Sequence, residues 1–274
     1  MTQKEKALAF QALHTKPGIF LIPNPWDAGS ARLLENMGFA ALATTSAGAT
    51  FSMAKPDGAI LLEECLANAR AIVDATNLPV SADLEGGFGR SPEDCARTIT
   101  LAARVGVVGG SIEDATGDKD NPIYSLEEAT ARVCAAVEAA RALPFPFMLT
   151  ARAENFLYGR PDIKDTVKRL QAFQEAGADV LYAPGLATAD DIRAVTSSVD
   201  LPVNVVMGLQ GVRLSVTELA DLGVKRISTG GALFRAALGA LLRAAREMRE
   251  QGTFDFADEA ISHGELNNIF SHRG

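Results

Sequence analysis

Residues 92–114 read PEDCARTITLAARVGVVGGSIED. Apolar residues recur at helical spacing over 92–105, Gly106 follows, and 107–113 is a short apolar run closed by Glu113 and Asp114. A glycine at that junction reads as a left-handed helix cap, because it takes positive φ without a Cβ clash. The same unit of helix, glycine, short apolar strand and polar loop recurs along the chain. Strands are predicted at 19–23, 40–45, 79–83, 107–113, 147–152, 179–183, 202–207 and 226–229. Helical spacing is clearest over 28–37, 61–75, 92–105, 126–142 and 163–176, and Gly38, Gly177 and Gly223 repeat the cap. Eight such units in 274 residues, with no Pro/Gly/Ser-rich linker, predict an α/β fold of the (β/α)8 barrel type, one domain over 1–274. The competing architecture is a doubly wound open sheet. It calls for a GxGxxG turn after the first strand, where this chain has Pro23-Asn24-Pro25-Trp26-Asp27. A long apolar helix is predicted from Gly231 to about residue 250, then a tail, 252–274, with Phe254, Phe256, Leu266, Ile269 and Phe270. Such a tail is too apolar to float free. Packing on its own barrel and exchange with a neighbouring subunit are both open.

Composition narrows the class. With 26 basic and 34 acidic side chains the net charge is −8, and 47% hydrophobic with 22% charged residues is a folded, not a disordered, balance. No apolar run approaches the roughly 18 residues of a membrane span, and the first ten residues lack an apolar signal core. A cytoplasmic protein without membrane partners is expected. An acidic chain with no basic block does not read as a nucleic-acid binder. Cys65, Cys95 and Cys134 all fall in helix-like stretches without a CxxC pair, as expected of reduced, packed thiols.

In a barrel the strand C-termini and the loops after them form the active-site face. Read in order, they carry Asn24 and Asp27; Thr44, Thr45 and Ser46; Asp83 and Glu85; Glu113 and Asp114; Arg152 and Glu154; Tyr182; Asn204; and Thr229. The loop after the second strand adds Asp57. So many carboxylates in one mouth repel unless a cation neutralises them. Oxygen donors without His or Cys select a hard ion, Mg²⁺ first and Mn²⁺ second. Asp83 and Glu85, two residues apart on an emerging strand, point to one face. They precede the flexible turn Gly86-Gly87-Phe88-Gly89, which lets backbone approach a ligand closely. Asp83, Glu85, Glu113 and Asp57 are the candidate metal or metal-water ligands. Asp27 reads as a helix cap and Asp114 as the partner of a nearby base. Arg152 can hold a carboxylate through two parallel hydrogen bonds, or pair internally with Glu154 or Glu113. The small-residue turn Thr45-Ser46-Ala47-Gly48 can offer backbone N–H groups to an oxyanion. The only histidines, His14, His263 and His272, lie outside the eight-strand body, so Ser-His or Cys-His catalysis is not expected. Lys119 is the one lysine in a loop that can reach the mouth.

Together, Pro23-Asn24-Pro25-Trp26-Asp27-Ala28, Thr45-Ser46-Ala47-Gly48, Pro56-Asp57, residues 82–89 (ADLEGGFG), Ile112-Glu113-Asp114, Ala151-Arg152-Ala153-Glu154 and residues 222–230 (LGVKRISTG) resemble the isocitrate lyase/phosphoenolpyruvate mutase superfamily. The resemblance implies a (β/α)8 barrel that binds Mg²⁺ and a 2-oxo acid or its enolate. By that resemblance the metal sits on Asp83, with Asp57, Glu85 and Glu113 acting through water. Thr45, Ser46 and Ala47 hold the substrate's carboxylate or oxo group, and Arg152 is the substrate arginine. It also implies homo-oligomers, dimer or tetramer, with an exchanged C-terminal helix. The chain departs from the family in the loop after the fourth strand. Residues 115–122, ATGDKDNP, have no Lys-Lys-Cys-Gly-His run, so isocitrate-type cleavage by the usual acid–base cysteine is not expected. Lys119 and Asn121 echo the phosphonate enzymes, yet Asp118 and Asp120 place negative charge where a phosphonyl group needs positive charge.

The expected activity is a Mg²⁺-dependent lyase or decarboxylase on a small 2-oxo (di)carboxylate such as oxaloacetate, passing through an enolate. Arg152, Lys119 and Asn121 are the catalytic candidates. Thr45, Ser46, Ala47, Asp83, Arg152, Tyr182 and Asn204 are the substrate contacts. The alternatives are a P–C bond enzyme of the phosphonopyruvate hydrolase or mutase kind, and a binder of 2-oxo acids without turnover. A phosphosugar barrel, with phosphate at Met207-Gly208 and Thr229-Gly230-Gly231, is a further rival.

Overall fold

Eight parallel strands are hydrogen-bonded in the order β1-β8-β7-β6-β5-β4-β3-β2. They belong to a computed structural model that describes residues 1–271; residues 272–274, and with them His272, lie outside the described residues. The chain runs α1 (Gln3–Thr15), β1 (Phe20–Ile22), α2 (Ala28–Asn36), β2 (Leu42–Ala43), α3 (Ser46–Ser52), α4 (Leu62–Ala75), β3 (Val80–Asp83), α5 (Pro92–Arg104), β4 (Gly109–Glu113), α6 (Leu126–Arg141) and β5 (Met148–Arg152). It continues through α7 (Ile163–Glu175), β6 (Val180–Tyr182), α8 (Ala189–Thr196), β7 (Val203–Val206), α9 (Val216–Asp221), β8 (Arg226–Ser228) and α10 (Ala232–Glu250). A short 3-10 helix (Asp255–Glu259) and α11 (His263–Ser271) end it. The seam between β1 and β2 is drawn together by Ala43 N–H donating to the Pro23 carbonyl at 3.1 Å. Asn24 Nδ2 donates to the Thr44 carbonyl at 2.9 Å across the same seam. The fold is a (β/α)8 barrel with a C-terminal helical extension.

Every predicted strand is present, but most are shorter than their apolar runs. The runs include extended connections that leave the ladder where the next loop begins. Residues 44 and 45 show why: Thr45 leaves β2 to cap α3, its side chain accepting Gly48 N–H at 3.2 Å. The helices repeat this logic, with Ser91, Ser125 and Ser215 closing capping boxes on α5, α6 and α9. The predicted cap glycines Gly38, Gly106, Gly177 and Gly223 all have positive φ.

Two apolar layers lie between strands and helices, one around Leu42, Ile72, Ile99 and Leu149, the other around Leu170, Phe173, Leu181 and Ile192. A third cluster joins Ala7 and Phe10 of α1 to Ile22, Ala41, Met148 and Val180. Helix α1, whose apolar spacing is weak in sequence, packs there against the strands. His14 was expected outside the barrel body. It is buried instead, with its ring edge-on to Phe10 and Phe20. In the tail, α11 lies against α2, and Arg32 Nη2 donates to the Ile269 carbonyl at 3.1 Å.

Candidate active site

Asp83 ends β3 at the C-terminal mouth. Its Oδ2 accepts from Ser46 N–H at 3.2 Å and Ser46 Oγ at 2.7 Å, and its Oδ1 accepts from Arg152 Nη1 at 3.0 Å. The stretch Thr45–Gly48, expected to be a turn open to an oxyanion, is the first turn of α3, and Ser46 N–H is aimed at Asp83. Small residues after a Thr cap favour the helix because each N–H of the first turn otherwise lacks a partner. Thr45, Ser46 and Ala47 nonetheless line the mouth.

Arg152, at the end of β5, pairs with three carboxylates at once: Asp83 at 3.0 Å, Glu113 at 3.0 Å and Glu154 at 2.8 Å. The Tyr182 ring sits 5.1 Å from its guanidinium carbon. Of the two roles read for Arg152, the structure contains the internal pairing; its partners raise its pKa further despite burial. Burial pushes the Glu113 carboxyl up to about 8 and that of Glu154 to about 7, with Arg152 opposing both.

Glu85 is the outlier. Its backbone is left-handed, φ 50°, and its Oε1 is buried with no hydrogen-bond partner. Burial first, then the Asp83 and Glu113 charges, raise its pKa to about 8. A non-glycine residue at positive φ costs about 1–3 kcal/mol and persists only where its surroundings over-determine it. Here the surroundings are the next turn. Arg132, from α6, donates to the carbonyls of Gly86, Gly89, Arg90 and Ser91. At Gly86 a Cβ would come within 2.9 Å of the Ala115 carbonyl, so this strand exit tolerates no side chain. Asp57 reaches the same mouth from the loop after α3, its pKa raised by partial burial and by Asp83.

The other candidates separate. Asp27 is the N-cap of α2, accepting Ser30 N–H at 2.7 Å. Asp114 pairs with Arg169 at 2.9 Å and accepts Glu154 N–H at 2.8 Å, so it supports the site from behind. Asn204, read as a mouth residue, lies lower. Its Oδ1 accepts from Arg226 and its Nδ2 donates to Ser228 Oγ, which occupies the amide at the cavity floor. Lys119 and Asn121 are on the exposed part of the β4 loop and line neither cavity at the mouth. One cavity, about 470 Å³, runs from Thr45, Asp83 and Arg152 past Tyr182 to Asn204 and Arg226; the other, about 360 Å³, is walled by Ser46, Asp57, Glu85, Glu113, Arg152 and Glu154. Sequence reading passed over Arg226 and Arg132. For Arg226 a signal existed, since period-two alternation places it on one face of β8 with Ser228; for Arg132 on a helix there was none.

Among the described residues, no three acidic, His or Cys side chains gather closely enough to form a ready-made metal cluster. The donor chemistry fits a hard dication all the same. The mouth offers carboxylate and hydroxyl oxygens only, and Glu85 Oε1 is an acceptor that the protein leaves unused.

The family model of phosphoenolpyruvate phosphomutase matches residues 10–249. A crystallised Burkholderia cenocepacia J2315 protein, provisionally named a lyase/mutase, is 61% identical with TM-score 0.97, over 98% of this chain and 97% of that one. Oxaloacetate decarboxylase of Chromohalobacter salexigens is 30% identical, over 88% of this chain and 84% of its own. Phosphonopyruvate hydrolase in complex with oxalate and Mg²⁺ is 26% identical with TM-score 0.87, over 99% and 95%. With the barrel, the acidic mouth and these matches together, the chain belongs to the isocitrate lyase/phosphoenolpyruvate mutase superfamily.

Proposed function

We propose that this protein is a Mg²⁺-assisted carbon–carbon lyase or decarboxylase acting on small 2-oxo (di)carboxylates through an enolate. The observation that carries the reading is Glu85. A left-handed residue presenting an unused buried carboxylate oxygen beside Asp83, Glu113 and Arg152 is costly to fold, and a bound cation would offset that cost. Asp83 would hold the ion, with Glu85, Glu113 and Asp57 around it. When bound, the ion supplies the positive charge that offsets electron density developing on the 2-oxo oxygen. The chain's own residues do the rest. Arg152 exchanges one of its carboxylate partners for the substrate's carboxylate, and Glu113 and Glu154 keep its guanidinium in place. Ser46 fixes the rotamer of Asp83 through two hydrogen bonds. Tyr182 closes one wall against water. The β4 loop, with Lys119 and Asn121 exposed, can meet the leaving fragment only by moving inward.

Kinship with an oxaloacetate decarboxylase supports the carbon–carbon reading, and the aspartates flanking Lys119 weigh against a phosphonyl group. Three free thiols fit a reducing cytoplasm, and no helix among the described residues is long and apolar enough to cross a membrane. The deciding experiment screens 2-oxo and 2-hydroxy di- and tricarboxylates for pyruvate or glyoxylate release, with and without EDTA. Turnover that disappears with EDTA and in Asp83→Ala is expected. Turnover indifferent to both would refute the assigned site, and binding without turnover over hours would mark a non-catalytic binder.

A further inference from the structure

Arg226 begins β8 in the barrel interior, 5% exposed, and forms part of the wall of the 470 Å³ cavity. Its Nε donates to Asn204 Oδ1 at 2.8 Å, Nη2 to Thr150 Oγ1 at 3.0 Å, and Nη1 contacts His14 Nε2 at 3.2 Å. His14 Nδ1 lies 2.9 Å from the Phe10 carbonyl, which requires the proton on Nδ1 and leaves Nε2 as an acceptor. All three partners are therefore neutral. A guanidinium has five N–H groups, so two are left without an acceptor among the described residues.

The other buried arginines are satisfied differently. Arg152 and Arg169 pair with carboxylates, and Arg132 donates through Nη1 and Nη2 to four backbone carbonyls of one turn, its Nε unpartnered but away from either mouth cavity. Among the described residues, only Arg226 combines burial, neutral partners, spare donors and an open cavity. Burial lowers its pKa to about 10, with no carboxylate near enough to offset it. A buried cation without a counter-charge costs several kcal/mol, a cost that an anion entering the cavity would offset.

The spacing identifies that anion. Thr150, which anchors Arg226, lies two residues before Arg152 on β5, and Ser81 two residues before Asp83 on β3. Arg226 thus sits one pleat repeat, about 6.6 Å of strand, below the Asp83–Arg152 layer. That interval suits the two ends of a four-carbon diacid. We propose that Arg226, with Ser228 and the serines Ser81 and Ser111 lining the same cavity, is an anion subsite that receives the second carboxylate of a dianionic 2-oxo acid. This rests on the function proposed above and adds to it a basis for choosing diacids over monoacids.

The test compares oxaloacetate with 2-oxobutyrate, which differ only in a terminal carboxylate against a methyl group. Binding of each is measured by calorimetry with Mg²⁺ at low temperature, in the wild type, Arg226→Met and Thr150→Val. The wild type is expected to bind oxaloacetate at least about tenfold more tightly, as a charge-assisted bidentate contact warrants. Arg226→Met should bring the ratio near one with 2-oxobutyrate affinity kept, and should melt somewhat below the wild type, because Asn204 Oδ1 and His14 Nε2 lose their buried donor. Thr150→Val, which loosens Arg226 without removing it, should lower the ratio several-fold and decides the matter should the methionine variant not fold. Equal wild-type affinities, or a ratio unchanged in the variants, overturn the subsite. Failure of both acids to bind the wild type overturns the proposed function itself.

Discussion

Replacing Arg152 by methionine tests the electrostatic design of the mouth directly. The side chain is 13% exposed and neutralises Asp83, Glu113 and Glu154, whose side chains are 18%, 9% and 1% exposed. Methionine keeps the volume and removes the charge. Breaking a buried ion pair by deleting one partner costs about 3–5 kcal/mol, because the surviving charge stays desolvated. At this chain length one kcal/mol moves the melting temperature by about 2 °C, so Arg152→Met should melt roughly 6–10 °C below the wild type in EDTA. Calorimetric melts in EDTA and in excess Mg²⁺ supply the assay. Added Mg²⁺ should recover more of the loss in the variant than it adds to the wild type, since a dication takes over the abandoned carboxylates. Arg141→Met is the control. Its pair with Asp179 is 48% exposed on the arginine side, and its removal should cost at most about 1 kcal/mol. A loss at Arg152 no larger than the control's would show that the three contacts are not a neutralising cluster, and the reasoning would fail.

Three further expectations follow from other parts of the molecule. Burial and the neighbouring Arg226 and Lys225 charges lower the His14 pKa from 6.5 to about 3, so His14 is neutral in the native state while the unfolded chain takes up a proton below 6.5. Its contribution is complete above pH 6.5 and falls by up to about 1.4 kcal/mol per unit as the pH drops towards 3; urea unfolding of His14→Phe should show a correspondingly shallower acid slope, and parallel slopes would contradict it. At Gly109 a Cβ would stand 2.8 Å from Phe10 Cε1 and 2.9 Å from the Met148 carbonyl. Gly109→Ala should therefore cost about 1–3 kcal/mol in thermal melts, and a neutral result would mean that α1 yields freely. Finally, α10 leaves Leu238, Leu241 and Leu242 exposed. If a second copy covers them, as an exchanged C-terminal helix implies, Leu241→Glu should reduce the mass measured by light scattering; an unchanged mass would remove that face from the interface.

How much of this was legible beforehand depends on the range of the interaction. The eight strands, their glycine caps and the acidic strand ends are written in local pattern; Asp83 ends β3 as its position implies, whereas Glu85 lies beyond the strand on left-handed backbone, where period-two alternation no longer sets its direction. Asp27 as a cap and Asp114 as the partner of an arginine were also readable, because caps and ion pairs follow from residue type and position. Lys119 and Asn121 were not. A loop's composition says that it can reach the mouth, but its placement is set by packing that leaves them in solvent.

What the residue order alone determined is therefore the barrel, its orientation and the chemistry of its mouth, since these need only the periodicities of helix and strand and the donor types at strand ends. What tertiary structure decided is who meets whom across the barrel. Arg152 gathers carboxylates from three different βα segments, Arg132 clamps a turn more than forty residues earlier, and His14 of the first helix contacts Arg226 of the last strand. The physical reason is that a barrel brings every strand to one axis, so charges far apart in sequence share a single low-dielectric space. Their protonation and pairing are properties of that shared space and of no segment taken singly.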